Sequence, residues 1–327
     1  MQLKVGVIGL GIGMRHLEEY AAVPEVEITA AADMNPERLK AASEKYRAKP
    51  YTSAEEMFKS EKLDAVSICT PPRSHLQLTQ MAAERKVHVM CEKPMSTSVN
   101  DAKKMVDTCG KHRVKLMIGF KKRLAPAYAF LKKKCDEDLG RPVWALVKFA
   151  LGRVDMDWFW DEQDGGGPIT ENTVHVIDLL RYFMGDVKRV HAEGGNYFMR
   201  HRSPQIDTGI FTLSFKEGGM AGVGAGYGSE WAFAKEEVSF TTAKAVCEVK
   251  GNFDQPGNLQ YIYRSQPDKV YTENFAKPDG FKEEIAHFID CVINDKKPLA
   301  SGEDGVESVK ICLAVKRSIR ENKIITL

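Results

Sequence analysis

The first 120 residues repeat one pattern: a short run of consecutive apolar positions, a longer polar stretch with helical spacing, then another apolar run. The runs are LKVGVIG (3–9), VEITAAAD (26–33), a short KPYT (49–52), LDAVSICT (63–70), VHVMCE (87–92) and VKLMIGF (114–120). Between them lie stretches such as PERLKAASEKY, SAEEMFKS and RSHLQLTQMAAERK, with Ser53 and Glu56 spaced as a capping box. A strand that is apolar on both faces needs cover on both faces, so this alternation predicts a parallel sheet between layers of helices.

After Phe120 the character changes. A helical LAPAYAFLKKKC leads into VWALVKFAL, VKRVHAEGGNYF, DTGIFTLSF, MAGVGAGY, EEVSFTT, AVCEVK, LQYIYR and KVYTE, several of them separated by Gly, Pro or Asp turns. That spacing predicts a largely antiparallel sheet. Two helical stretches, GFKEEIAHFIDCVIN and EDGVESVKICLAVKRSIREN, close the chain. We expect two domains, 1–121 and 122–327, and 327 residues with 43% hydrophobic content suffice for two cores.

The charge balance, 47 Lys and Arg against 45 Asp and Glu, leaves a net +2 with no long basic run. Nucleic acid is therefore not an expected partner, whereas a small anionic ligand is compatible. No apolar run reaches the roughly 18 to 20 residues of a membrane span. The opening MQLKVGVIGLGIG lacks the small-residue cleavage site of a signal peptide. Seven cysteines, at 69, 91, 109, 135, 247, 291 and 312, form no C-x-x-C pair, which predicts reduced thiols in a cytoplasmic protein.

VGVIGLGIGMRHL sets Gly9, Gly11 and Gly13 between a strand and a helix. Glycines there let the backbone turn tightly and approach a pyrophosphate, whose charge a helix N-terminus favours. Met14 stands where G-x-G-x-x-G would place its third glycine. The next strand ends at Asp33, whose carboxylate suits a ribose hydroxyl and repels a 2′-phosphate, so NAD is expected over NADP. Arg38 is the residue that could instead meet a phosphate.

In a doubly wound sheet the ligand lies across the carboxyl ends of the strands. Gly9, Asp33, Thr70, Glu92 and Phe120 all stand at or near such ends, and Lys93 follows the fifth strand. Pro94 restricts the backbone of Lys93. A lysine on that rim can polarise a carbonyl or assist proton movement at a hydroxyl.

GGGPITENTVHVIDLLRYFMG (165–185), read as one helix after its glycines, puts Glu171, His175, Asp178 and Tyr182 on one stripe. A buried polar stripe must be satisfied by the protein or by a polyhydroxylated substrate. Three of its members could ligate a metal, but no further His or Cys with ligand spacing stands nearby, so no metal is expected. The aromatic run Trp158-Phe159-Trp160 reads equally as core or as an apolar wall against a sugar ring.

With Gly9 to Gly13, CTPPRSH (69–75), CEKP (91–94) and GGG followed by His and Asp in place, the chain resembles the Gfo/Idh/MocA oxidoreductase family along essentially its whole length. The resemblance implies a Rossmann domain followed by an α/β domain whose large open sheet often joins subunits into dimers or tetramers. It implies NAD or NADP held at Gly9, Gly11, Ile12, Gly13, Asp33, Thr70, Pro71, His75, Glu92 and Lys93. It implies a sugar, inositol or related polyol, oxidised or reduced at a secondary alcohol, near Lys93, Lys121, Arg123, Trp158, Asn172 and His175. The family's lysine and histidine match Lys93 and His175, while the aspartate of its Asp-x-x-x-His pair is Glu171 here. Thr173 stands where many members have glycine. GFKKRL replaces the common GFNRRF, and its adjacent lysines read either as contacts for an anionic substrate or as a solvated surface pair. The resemblance also allows a cis bond at Lys93-Pro94 or at a neighbouring X-Pro position. An NAD-dependent glycosidase and a non-catalytic NAD-binding regulator are the alternatives on the same fold.

Overall fold

In the computed structural model, which describes residues 2–150, 152, 154–202, 204–226, 235–252, 254–276 and 278–327, six parallel strands form the sheet of the first half. They are β1 (Leu3–Ile8), β2 (Val26–Ala32), β3 (Lys49–Tyr51), β4 (Ala65–Ile68), β5 (His88–Cys91) and β6 (Leu116–Ile118), in the order β3-β2-β1-β4-β5-β6. The crossovers contain α1 (Gly13–Ala21), α2 (Pro36–Tyr46), α3 (Ala54–Ser60), α4 (His75–Glu84) and α5 (Val99–His112). Strands β4 to β6 are buried at nearly every position, as the apolar runs require. Side-chain oxygens of Asn35, Ser53 and Ser98 cap α2, α3 and α5 by accepting backbone N–H groups of their first turns. At Ser53 the forward half of the capping box forms, with Glu56 N–H donating to its hydroxyl.

The strand order reverses between β1 and β4, where a doubly wound sheet opens its crevice. Gly9 sits at that point with φ of 86°, and a Cβ there would lie 2.8 Å from the backbone of Cys69 and Thr70.

The chain divides into two units, the residues up to Phe120 with Phe281–Val309, and Lys121–Gly280 with Lys310–Leu327. A linear division at 121/122 does not contain this return of α10 (Phe281–Ile293) and the start of α11 (Gly302–Glu321) to the first unit. The return has a packing reason. The Phe281 ring meets His16 edge-on at 6.0 Å and lies under the Arg15 guanidinium, so α10 covers an otherwise exposed flank of α1.

The second unit is built on a nine-stranded sheet. Its strands are β7 (Trp144–Ala150), β8 (Val187–Gly195), β9 (Thr208–Phe215), β10 (Met220–Gly226), β11 (Lys235–Thr241), β12 (Ala245–Asn252), β13 (Gln255–Tyr263), β14 (Val270–Asn274) and β15 (Ile325–Thr326). They run in the order β14-β13-β12-β11-β7-β10-β9-β8-β15, antiparallel except for the β7–β10 pair. Leu151 and Tyr227, which end two of the apolar runs, lie outside the described residues. One face is buried, with Phe183 of a covering helix stacked on Phe240 of β11 at 4.6 Å. The other face leaves Trp144, Leu146, Ile210 and Met220 between 44% and 70% exposed.

The single helix expected after the three glycines is two. Following α6 (Pro126–Lys134) and the short α7 (Asp157–Trp160), α8 (Gly167–Glu171) ends before α9 (Val174–Met184) begins. The Pro168 carbonyl accepts the N–H groups of both Asn172 and Thr173 and the Thr173 hydroxyl, so the regular ladder cannot run through this point. The stripe from Glu171 to Tyr182 is thereby interrupted after its first member.

Gly9→Ala should cost about 2–4 kcal/mol, because it combines a left-handed backbone with a clash against backbone atoms that cannot move aside. Gly110→Ala in α5, where an added Cβ meets nothing within 4 Å, should instead be neutral or stabilising by up to ~1 kcal/mol. Urea unfolding of the two variants beside the parent protein checks both.

Candidate active site

Five residues at the carboxyl ends of parallel strands define one rim of the first unit: Gly9, Asp33 and Phe120 with Thr70 and Glu92. The three glycines of the loop do different work there. Gly9 makes the tight turn. Gly11 has open space, since a Cβ would meet only Arg38 Nη1 at 3.9 Å. Gly13 is the packing glycine, because a Cβ would lie 2.8 Å from Val7 Cγ1. The role that G-x-G-x-x-G gives its third glycine therefore falls one position early, and Met14 is free to be large.

Asp33 ties this loop to the next strand. Leu10 N–H donates to its Oδ2 and Asn35 N–H to its Oδ1 at 2.7 Å. A carboxylate offers about four acceptor positions, so lone pairs remain for ribose hydroxyls. Arg38 is half exposed with its Nη1 3.8 Å from Asp33 Oδ2. A turn that only glycine can make, an open approach at Gly11, the start of α1 and a strand-end carboxylate together fit a nicotinamide dinucleotide.

Thr70 donates to or accepts from Ser74 Oγ at 2.6 Å, and Pro71 opens the short turn Pro72–Ser74. His75 is fully buried, with Nε2 2.7 Å from Thr70 O and Nδ1 3.2 Å from Met95 O. Burial lowers its pKa, and its ring braces the Thr70 loop against the segment after Pro94. Ile12, which precedes α1, is 45% exposed at the loop tip.

Glu92 and Lys93 follow β5, and the Lys93-Pro94 bond is cis. The Glu92 carboxylate is buried beside His16, whose Nε2 is 3.0 Å from Oε1, while Oε2 accepts the Lys93 backbone N–H at 3.0 Å. His16 Nδ1 is 3.1 Å from Ser67 Oγ, which lies 2.7 Å from the Tyr20 hydroxyl. Burial alone would raise the Glu92 pKa, but the hydrogen bond and charge of His16 and the charge of Lys93 outweigh it and hold the carboxyl below its ordinary value. The sequence gives no signal for this chain of groups, because His16 reads as one polar residue of an amphipathic helix.

In the second unit the turn Lys121–Arg123 lies against α9. Arg123 donates from Nε and Nη2 to the two Asp178 oxygens at 2.8 and 2.7 Å, a bidentate pair removed from water. The Tyr182 ring lies 5.0 Å from the Arg123 guanidinium carbon. The protein itself thus satisfies the Asp178 carboxylate.

Lys121 and Lys122 are neither solvated nor displayed to an anion. Both are buried, Lys121 paired with Asp254 and Lys122 with Glu236 and Asp254. Glu236 also accepts the Tyr128 hydroxyl at 2.7 Å and the Asp254 N–H at 3.2 Å. Burial would hold the Asp254 pKa up, yet Lys122, Lys121 and His175 together push it far below the ordinary carboxylate range. Glu236 and Asp254, from β11 and the turn after β12 respectively, were not legible as site residues.

Glu171 and His175 are buried at 8% and 4% exposure on either side of the helix break, with Asn172 half-buried at the break. Three glycines precede them because the backbone is crowded there: a Cβ on Gly165 would fall within 2.7 Å of Trp158 and Phe159 backbone atoms. Lys316 of α11 braces the same loop, donating to Gly166 O at 2.8 Å and to both oxygens of Glu162. Phe159 and Trp160 are core, packed with Met199, while Trp158 is half-buried at their edge.

Glu92 fixes the sign of one pH effect. Its folded pKa is lowered from an ordinary 4.5, so as pH falls the unfolded chain binds the proton first. The stability it contributes is therefore present above about pH 4.5 and lost as pH falls through the depressed folded value. Glu92→Gln should flatten part of the acid slope in urea unfolding measured from pH 7 to pH 3; an unchanged slope would refute the pairing.

The sequence profile of an oxidoreductase family with an NAD-binding Rossmann fold matches residues 3–120, and that of its C-terminal α/β domain matches residues 132–327. Myo-inositol 2-dehydrogenase of Thermotoga maritima is 27% identical over 347 residues, covering 99% of this chain and 98% of that protein. The WlbA dehydrogenase of Bordetella pertussis, solved with NADH and UDP-GlcNAcA, is 25% identical with a TM-score of 0.85, covering 100% and 99% of the two chains. Levoglucosan dehydrogenase, solved with NADH and levoglucosan, superposes with a TM-score of 0.90 at 20% identity, covering 100% and 99%, a likeness of fold. With both profiles matched in order, the chain belongs to the Gfo/Idh/MocA oxidoreductase family and carries its NAD-binding Rossmann fold.

Proposed function

We propose that this NAD(P)-dependent oxidoreductase interconverts a secondary alcohol and a ketone of a sugar, inositol or related polyol. The observation that carries the reading is Lys93, held directly after β5 on the rim that also bears Gly9 and Asp33. The relative named a myo-inositol 2-dehydrogenase supports the substrate class.

When bound, the nicotinamide supplies the hydride acceptor or donor. The remaining work is proton handling and orientation by the chain itself. The Lys93 ammonium orients and polarises the substrate oxygen, and its backbone is fixed by the Glu92 carboxylate. His175 takes the hydroxyl proton in oxidation and returns it in reduction. Glu171, buried four residues before His175 on the other side of the helix break, replaces the family's aspartate as its acidic companion. The Asp33 carboxylate favours NAD over NADP by accepting from a ribose diol and repelling a 2′-phosphate.

We also read the protein as cytoplasmic and homo-oligomeric. The seven cysteines, all buried as thiols, suit a reducing compartment. Among the described residues no helix is long and apolar enough to cross a membrane. Trp144, Leu146, Ile210 and Met220 share the open face of the nine-stranded sheet on the adjacent strands β7, β10 and β9, an apolar patch that a second copy would cover.

Lys93→Ala should lower turnover by roughly 10²–10⁴-fold, the worth of a positioned acid–base group, while leaving NAD affinity nearly unchanged. Absorbance of NADH and NADPH against a panel of inositols, aldoses and sugar acids, beside calorimetric NAD binding, reads both. Equal turnover in the variant would remove Lys93 from the chemistry, and hydrolysis of a chromogenic glycoside without net NADH would replace the dehydrogenase reading. Ile210→Lys with Leu146→Lys should shift the protein to monomer in light scattering; a parent protein that is already monomeric would refute the sheet contact.

A further inference from the structure

The turn Lys121–Arg123 gathers three cations, and the second unit answers them with three carboxylates. Asp178 takes Arg123, Glu236 takes Lys122, and Asp254 is shared by both lysines. Two of these carboxylates are out of water, the side chains of Glu236 and Asp178 being 0% and 1% exposed, whereas Asp254 keeps 29%. Asp254 is therefore the member through which the cluster meets solvent.

It is also held in place. Its φ of 63° is left-handed, a region that Asp and Asn tolerate better than other side-chain-bearing residues. Its N–H donates to Glu236 Oε2, so backbone and carboxylate are both fixed. The Arg123–Asp178 clamp seats the cationic turn on α9 less than one turn past His175.

Without the Asp254 carboxylate the same turn would carry one more unit of positive charge than it does now, a change that favours anions. With Asp254 the lysines are matched, and the partly exposed carboxylate offers acceptors to hydroxyl groups. We propose that Asp254 is a specificity-determining residue: by neutralising Lys121 and Lys122 beside His175, it makes this surface accept uncharged polyols and turn away substrates bearing a carboxylate or phosphate. The inference rests on the polyol reading above and deepens it.

Asp254→Asn is the informative variant, because asparagine keeps the shape and tolerates the left-handed backbone. Calorimetric titration with inorganic phosphate should show roughly tenfold tighter binding to this variant than to the parent, the size expected for one unbalanced charge at a partly exposed site. Lys121→Asn added to Asp254→Asn should abolish the gain. Equal phosphate affinity in parent and variant, or a gain that survives Lys121→Asn, would overturn the proposal. The parent supplies a test that needs no variant: its kcat/KM for glucitol should exceed that for gluconate by at least tenfold, and comparable values would also overturn it. Phosphate binding is read without turnover. A parent inert on every polyol would therefore defeat the dehydrogenase reading, while the titrations still decide the role of Asp254.

Discussion

Charge removed from water is the constraint around which both units are arranged. In the first, the buried Glu92 carboxylate is matched by His16 and holds the backbone of Lys93. In the second, Lys122 and Glu236 are both buried, and Arg123 and Asp178 form a bidentate pair at the base of α9. A buried ion left alone costs several kcal/mol, whereas a matched, hydrogen-bonded one is tolerated. Each pair therefore locks the segment that carries it, and those segments are the ones bearing Lys93 and His175.

The dinucleotide-binding half follows from backbone sterics. Parallel strands all end on one rim, and the order reversal between β1 and β4 opens the place where Gly9 turns against Cys69 and Thr70. The displaced third glycine shows that the fingerprint is a set of steric roles rather than fixed spacings. Turn, open approach and close packing are all filled, at positions 9, 11 and 13. The Asp33 carboxylate then ties the loop to the strand end by accepting the Leu10 N–H.

Much of this was legible because it depends on local pattern. The apolar runs at 3–9, 26–33, 63–70 and 87–92 matched β1, β2, β4 and β5 to within two residues at either end. Each must be covered on both faces, and that requirement is written residue by residue. The break between α8 and α9 was not legible, since it arises from one carbonyl, that of Pro168, accepting three donors. The adjacent lysines at 121 and 122 were misread for a related reason. A lysine shows its charge in the sequence but not its partner, and here the partners lie more than a hundred residues away.

The two sheet types, the strand-to-helix glycine turn, the acid at the end of β2 and the lysine after β5 were all readable from the residues, because periodicity and backbone stereochemistry act over a few positions. The pairing of His16 with Glu92, the carboxylates of Asp254 and Glu236 against the cationic turn, and the return of α10 to the first unit emerged with the fold. These depend on contacts between distant segments, and a charge or an apolar face can find its partner only once the chain has folded around it.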